Sequence, residues 1–470
     1  MSVAEPVTGS SVRGAQRLLC GWGRTSPSRA RVIAARSPEE VVEALAAQSP
    51  AGGGVIARGA GRSYGDAAQN GGGDVIDITA MNRILSIDHE QRLITAQAGV
   101  TIAQLMVGLA AHGLALPVVP GTRHVTLAGA IASDIHGKNH HRDGGFGRYV
   151  SSLSLCTPTG ACMEVSAEID PELFHATLGG MGLTGVIVQA TLRAEPLATP
   201  WVAADIDRTE GFEQTLALMA GEERHRYSVA WLDLLADGPR MGRAVVSRAD
   251  PWPCESATGP ARGLRRIRGA YPGRLTRRPA LEVPSGFPAA LLRPRGLRAF
   301  NALRWRAAPR RERGRALALA PFFFPLDGLG EWNRLYGSAG LIQYQFVIPS
   351  GRETALLRCI ELLRTRRLPV YLAVFKRLGA ESGGPLSFPL EGWTLAIDLP
   401  AAWPGLRPAL DELDEVVAGS GGRVYLSKDA RLGRDVMATM YPELDRFHAL
   451  RAKVDPNGVL RSDLSRRLGL

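Results

Sequence analysis

The sequence predicts an α+β protein of two domains, with mixed sheets covered by helices. Three observations carry this. Apolar strand-like runs alternate with capped helical segments up to about Thr199. Hairpin signals interrupt that alternation, so a doubly wound parallel sheet is not expected. Beyond Thr199 the character changes, and further strands with helical cover read as a second, substrate-binding domain over 199–422. The 470 residues, 45% apolar and 21% charged, suit two or three globular domains. They exclude a disordered chain and a disulfide-stapled miniprotein.

Ser37-Pro38-Glu39-Glu40 is a capping box with proline in the first turn, and Val41, Val42 and Leu45 follow at helical spacing. Residues 55–57, 75–78 and 93–98 read as strands. Thr101 caps a helix that Gly113 stops. Residues 150–156 and 162–165 flank Pro158-Thr159-Gly160 as a hairpin. Asp170-Pro171 opens a helix, and 185–192 is a strand. In the second part, 227–233, 244–247, 341–348, 370–376 and 394–399 read as strands, with helices over 353–365 and 409–417. From Val424 the tail gives a strand and then two helices.

The net charge of +11 is concentrated. Between Arg262 and Arg315 there are 16 arginines and two acidic residues, with six prolines. That composition reads as a long mobile loop over about 255–320, suited to docking on an anionic leaflet; the plainer alternative is a solvated insertion. Leu291, Leu292, Phe300, Leu303 and Trp305 could add shallow apolar insertion, with Trp305 at headgroup level. A nucleic-acid role is disfavoured, because the aromatics a single-strand binder interleaves are missing. No apolar run reaches the ~18 residues of a membrane span. The N-terminus has no basic-then-apolar export region, and five cysteines argue for a reduced compartment and against a disulfide framework. The expectation is a peripheral protein of the plasma membrane, with the cytoplasmic face favoured and the outer side left open.

Three loops of small residues carry the chemistry. The first is Ala57-Arg58-Gly59-Ala60-Gly61-Arg62-Ser63-Tyr64-Gly65-Asp66, after a strand. Its glycines let backbone N–H groups cradle an anion. A strand rather than a helix follows, which argues against a dinucleotide-type Rossmann loop and against a serine nucleophile elbow at Ser63. The second runs from Pro120-Gly121-Thr122-Arg123 through Thr126-Leu127-Ala128-Gly129 to Ser133-Asp134-Ile135-His136-Gly137-Lys138-Asn139-His140-His141. The third is Gly179 to Gly185. His136, His140 and His141 invite a metal reading, but the glycine-rich setting without cysteine makes it weak, and no metal is expected.

These loops resemble the FAD-binding domain of the vanillyl-alcohol-oxidase type of flavoenzyme. With Gly21-Trp22-Gly23-Arg24-Thr25, Gln343-Tyr344-Gln345-Phe346 and Val374-Phe375-Lys376, the chain is similar, from about residue 20 to its end, to the decaprenylphosphoryl-β-D-ribose 2′-oxidases within that type. The resemblance implies a cofactor domain split between residues 1–198 and a returning tail, 423–470. It implies FAD held by the first two loops with Ile187 and Tyr425, and held non-covalently, because Tyr64 stands where covalent relatives carry a histidine. It implies Lys428, His136 and Tyr64 as catalytic residues, and Lys138, Trp231, Gln343, Gln345, Lys376, Thr394 and Lys428 around the substrate. Ala396 departs from the pattern, since many members carry a cysteine there. The implied reaction oxidises a polyprenyl-phosphate pentose on the way to cell-wall arabinan. A quinone takes the electrons, a partner keto-reductase completes epimerisation, and no nucleic acid is involved. A flavin oxidase of a soluble polyol or sugar lactone is the alternative.

The residues themselves support several of these roles. Gln343 and Gln345 alternate with Tyr344 and Phe346, so both amides face one side of a strand. Lys428 precedes an expected helix, whose N-terminus and a nearby cation would lower its pKa. Lys376 ends an apolar strand and could meet a phosphate or snorkel to solvent. Trp231 lies within a strand, where tryptophan is more often core. If Tyr64 implies what the resemblance suggests, acid precipitation releases the yellow cofactor into the supernatant. Colour that stays with the pellet contradicts the argument.

Overall fold

The computed structural model describes residues 14–48, 52–160, 162–221, 224–252, 279, 281–288 and 294–470. Strands β1 (Gly14–Leu19), β2 (Ser28–Ala34), β3 (Val55–Arg58) and β4 (Asp74–Asp77) form a mixed sheet of order β1-β2-β4-β3. β5 (Ile84–Asp88), β6 (Leu93–Gln97), β8 (Val150–Cys156), β9 (Cys162–Ser166) and β10 (Val186–Arg193) form an antiparallel one, β5-β6-β10-β8-β9, while β7 (Leu114–Ala115) pairs with β11 (Glu195–Pro196). Helix Pro38–Ala46 starts where Ser37 accepts the Glu40 N–H, and helix Ile102–Ala111 has a full capping box between Thr101 and Gln104.

The second part is built on eight antiparallel strands: β12 (Trp201–Thr209), β13 (Tyr227–Asp233), β14 (Arg243–Pro251), β16 (Arg311–Ala318), β18 (Leu341–Pro349), β19 (Leu372–Leu378), β20 (Gly392–Pro400) and β21 (Arg423–Val424). Their order is β16-β12-β14-β13-β19-β20-β18-β21. A parallel pair, β15 (Leu281–Glu282) with β17 (Leu329–Gly330), lies apart. Alternation gives the large sheet two distinct faces. Tyr344, Phe346, Leu395, Ile397 and Phe375 form buried core on one face, where the helices Glu353–Thr365 and Leu406–Gly419 pack and Tyr344 donates to Asp414 at 2.8 Å. The register Trp231↔Val374↔Ala396↔Gln345 puts those four residues on the other face.

Two expectations are corrected here. The Arg-rich segment is not one long loop. Residues 253–278, 280 and 289–293 lie outside the described residues, but Pro294–Ala307 is a helix and β16 pairs with β12 along its length. Pro294 opens the helix, where a missing N–H costs nothing, and Pro309 sits in the connection, so neither proline breaks an element. Trp305 points inward: its Nε1–H donates to the Thr209 carbonyl at 2.9 Å, under the guanidiniums of Arg208 and Arg243. Several of the arginines are paired, Arg313 with Asp207 at 2.8 Å and Arg315 with Glu312. Second, a disulfide joins Cys156 to Cys162 across the β8–β9 hairpin, because the turn makes them register partners. Cys20 and Cys359 are free, and Cys254 lies outside the described residues.

The tail carries three helices rather than two: Arg434–Met440, Leu444–Val454 and Asp463–Leu468. It returns to the first sheet. The Val55 N–H donates to the Val459 carbonyl, and the Arg461 N–H to the Val55 carbonyl, at 2.8 and 2.9 Å. Buried Asp455 accepts from the N–H groups of Val459 and Leu460, which fixes the turn into that pairing. Arg467 forks onto Asp66 at 2.7 and 2.9 Å and reaches Asp429 at 2.8 Å. The backbone at Gly65 passes so close to this tail that a β-carbon there would lie 1.8 Å from the Asp429 carbonyl oxygen.

Removing a partly buried guanidinium that serves two carboxylates leaves both uncompensated. Arg467→Met is therefore expected to cost about 2 kcal/mol of stability. Gly65→Ala should cost at least as much, because backbone cannot yield as a side chain can. Thermal unfolding of the holoprotein measures both, and unchanged melting would contradict the clamp.

Candidate active site

A cavity of about 560 Å³ opens between the first sheet, the small-residue loops and the inner face of the large sheet. The first loop brings Ala57, Gly59, Ala60, Gly61, Arg62, Ser63 and Tyr64 to its wall; the second brings Gly121, Thr126, Ala128, Gly129, Ser133, Ile135 and His136. Ile187, Tyr425, Gln343, Gln345, Lys376 and Lys428 complete the expected residues that reach it, and Ala396 lines it too. The N–H groups of Gly59 to Ser63 make no backbone hydrogen bond among the described residues, whereas the Tyr64 N–H is used by the Ser427 carbonyl. A β-carbon on Gly59 would lie 2.1 Å from Thr126 Oγ1. Free donors on a close-approach backbone are what a diphosphate requires, so the loop fits the anionic part of FAD.

The structure does not bring eight of the expected residues to the wall. Arg58 turns away to the carbonyls of Ala68 and Cys20, at 2.8 Å each. Gly65 and Asp66 belong to the tail clamp, and Leu127 is core. Asp134 is fully buried and accepts from the Gly147 N–H and the Ser387 hydroxyl. Lys138 donates to the Phe322 carbonyl and lies over that ring. Trp231 is covered by Arg304, 4.7 Å from its centroid. Thr394 sits behind Gln345.

The polar network fixes protonation. Thr394 donates its one hydroxyl proton to the Phe346 carbonyl at 2.8 Å, so its oxygen can only accept from Gln345, at 3.1 Å. The group facing Thr394 is therefore the Gln345 amide nitrogen. The same nitrogen lies 2.9 Å from His136 Nε2, which must accept. His136 thus carries its proton on Nδ1, where it has no partner among the described residues. Burial, and then the cations of Lys376 and Lys428, hold the ring well below the usual histidine range, so it stays neutral.

Three half-buried lysines and one buried carboxylate set the electrostatics. Burial pushes Lys428 down to about 7; Asp398 opposes this and Lys376 adds to it. Lys428 sits in a turn, and the next helix begins only at Arg434, so a helix N-terminus is not the cause. Its Nζ lies 4.0 Å from the centroid of the Tyr64 ring. Burial lowers Lys376 to about 8, and burial with Lys376 lowers Lys138 to about 7. Asp398 is raised to about 6 by burial, and accepts from Gln343 Nε2 at 2.5 Å and from the Tyr336 hydroxyl at 3.4 Å.

Asp398 escapes sequence reading, yet it shares its strand face with Thr394 and Ala396 and pairs with Gln343 in register. Period-two counting from Thr394 would have found it. Trp22 and Trp332, 6.0 Å apart at 68°, line the cavity with Arg62 stacked on Trp22 at 3.9 Å. Nothing in the local sequence marks Trp332.

Comparison with known proteins agrees with this geometry. The family model described as FAD binding domain matches residues 29–166. Decaprenylphosphoryl-β-D-ribose oxidase of Mycolicibacterium smegmatis is 42% identical over 461 residues, covering 96% of this chain and 97% of the relative. An uncharacterized protein in the mprA 5′ region of Streptomyces coelicolor is 40% identical over 379 residues, 78% of this chain and 99% of the relative. L-gulonolactone oxidase of Bos taurus matches at 35% over 160 residues, about a third of either chain. FAD is the cofactor of this fold, and the chain belongs to the decaprenylphosphoryl-β-D-ribose oxidase family of FAD-dependent oxidoreductases.

Proposed function

We propose that the chain oxidises the 2′-hydroxyl of decaprenylphosphoryl-β-D-ribofuranose to the 2′-keto sugar, the first half of an epimerisation that supplies arabinofuranosyl units for cell-wall arabinan. The observation that carries this reading is Lys428, a lysine inside the cavity whose proton is held only to about pH 7, beside Tyr64 and opposite the Gln343 and Gln345 amides. The end-to-end match to a relative named for that sugar supports the substrate class. The lactone-oxidase reading rests on matches to about a third of the chain.

Bound FAD supplies the two-electron acceptor for an alcohol carbon. The protein must then remove the hydroxyl proton and orient the sugar. Near neutrality part of the Lys428 population is the free amine, and that amine takes the hydroxyl proton. Asp398, ionised above about pH 6, favours the ammonium so formed and also pins the Gln343 amide. Lys376, titrating near 8, remains largely cationic at pH 7 and suits the substrate phosphate. Neutral His136 offers its Nδ1–H as a donor. Tyr64, buried and raised well above the usual phenol range, keeps its proton and presents its ring to Lys428. A quinone acceptor, a keto-reductase that completes epimerisation, and peripheral contact with an anionic membrane surface belong to the same reading, and the Cys156–Cys162 disulfide leaves the outer side of the membrane as open as the cytoplasmic face.

The sign of the pH dependence follows. The active form has Lys428 as the free amine and Lys376 as the cation, so kcat/KM should rise as pH increases through about 7 and fall again above about 8. Lys428→Met should keep the flavin and lose about 10²-fold or more in turnover. Asp398→Asn removes an anion that favours the ammonium, so the ascending limb should move to lower pH by about one unit. Flavin bleaching by a short-chain prenyl-phosphoryl ribose, followed against pH, measures all three. A limb that stays in place in the Lys428 variant would reassign the base.

A further inference from the structure

The helix Pro294–Ala307 leaves two large apolar residues, Phe300 and Leu303, on the side away from the core. Its inner face is anchored by Trp305 on the Thr209 carbonyl and by Asn301 Nδ2 on Asp233 Oδ1 at 3.0 Å. Phe300 and Leu303, which share the opposite face with Gly296 and Ala307 at helical spacing, are 58% and 67% exposed. Arg295 and Arg306 flank this stripe on one edge and Arg304 on the other. Among the described residues, the side chains of Arg295, Arg306 and the following Arg310 and Arg311 make no ion pair. The helix contains no acidic residue. Apolar side chains facing outward between unpaired arginines form the pattern of a helix that lies in a lipid headgroup layer.

The helix is also placed for it. Asp233 and Trp231 project from the same face of the large sheet as Val374, Lys376 and Ala396, which wall the cavity. Arg304 covers Trp231, and Trp231 is the register neighbour of Val374. A lipid chain that leaves the cavity along this face therefore meets the helix one strand away.

We propose that the Phe300–Leu303 stripe, with its flanking arginines, is the surface by which the protein seats on an anionic bilayer. This deepens the reading of a lipid-linked substrate and rests on it. The occupant is a bilayer rather than a protein because the stripe is narrow, carries only cations at its edges and lies beside the cavity that would receive the lipid-borne sugar.

The test is co-sedimentation of the FAD-loaded protein with phosphatidylcholine–phosphatidylglycerol vesicles and with pure phosphatidylcholine vesicles, at low and high salt. The expected result is binding to the anionic vesicles alone, weakened by salt. It should fall at least about tenfold in F300S/L303S and in R295Q/R306Q, with flavin absorbance unchanged. Either variant binding like the wild type overturns the proposal, as does equal binding to neutral vesicles. A dimer in solution that F300S/L303S dissociates would give the face to a second copy instead. Vesicle binding needs no turnover, so its failure is separable from a failure of the short-chain ribose to bleach the flavin.

Discussion

The active cavity exists only because the end of the chain is held against its beginning. Lys428 stands on a segment whose backbone meets Tyr64, and whose position is set by Arg467 on Asp66 and Asp429. Neither carboxylate touches the cavity. Their work is to keep the tail paired along Val55, so that the loop after β3 and the turn before Arg434 face each other. Residues about 360 positions apart thereby become neighbours, a loop closure whose entropy must be offset by buried, charge-assisted bonds such as these.

The same closure creates the electrostatic character of the site. Lys376 comes from β19, Lys428 from the tail and Lys138 from the second loop, and each is desolvated by burial. Burial lowers all three, and Lys376 lowers the other two further. Asp398 opposes the lowering of Lys428, and Asp398 is itself raised by burial. The acid and the amine are therefore drawn toward neutral pH from opposite sides, which is the condition under which a proton can be taken and returned in each turnover. His136 joins this arrangement without charge, because burial and then the nearby cations disfavour its protonation and an amide proton already occupies its Nε2.

Local chemistry made much of this legible from the residues. Caps placed the helices at Pro38 and Ile102, and period-two alternation placed Gln343 and Gln345 on the cavity face. What local chemistry could not give was pairing at long range. Lys428 is lowered by burial and by the nearby cation Lys376 and not by a helix terminus, because a terminus can be read from sequence but burial cannot. Composition misled in the Arg-rich segment, where prolines mark a helix start and a connection rather than breaks, and where Asp207 on a neighbouring strand neutralises Arg313. The Cys156–Cys162 bond escaped a count of cysteines because it depends on hairpin register.

The expected site residues that miss the wall have a common explanation. A glycine-rich loop can approach a ligand only if something behind it is rigid, and rigidity at a junction of sheets comes from buried polar bonds. Asp134 supplies one by joining its own loop to Ser387 and to the Gly147 N–H. Arg226 supplies another: it forks onto Glu195 at 2.6 and 2.8 Å and onto Asp143 at 2.6 Å, tying β13 to the end of the FAD-binding part. Arg58 braces the first loop from behind through two carbonyls. A sequence motif records walls and braces alike, since both residue types are needed at fixed spacing. The structure separates them by direction: the small residues turn their backbone to the cavity, and Arg58 and Asp134 turn away to hold that backbone still.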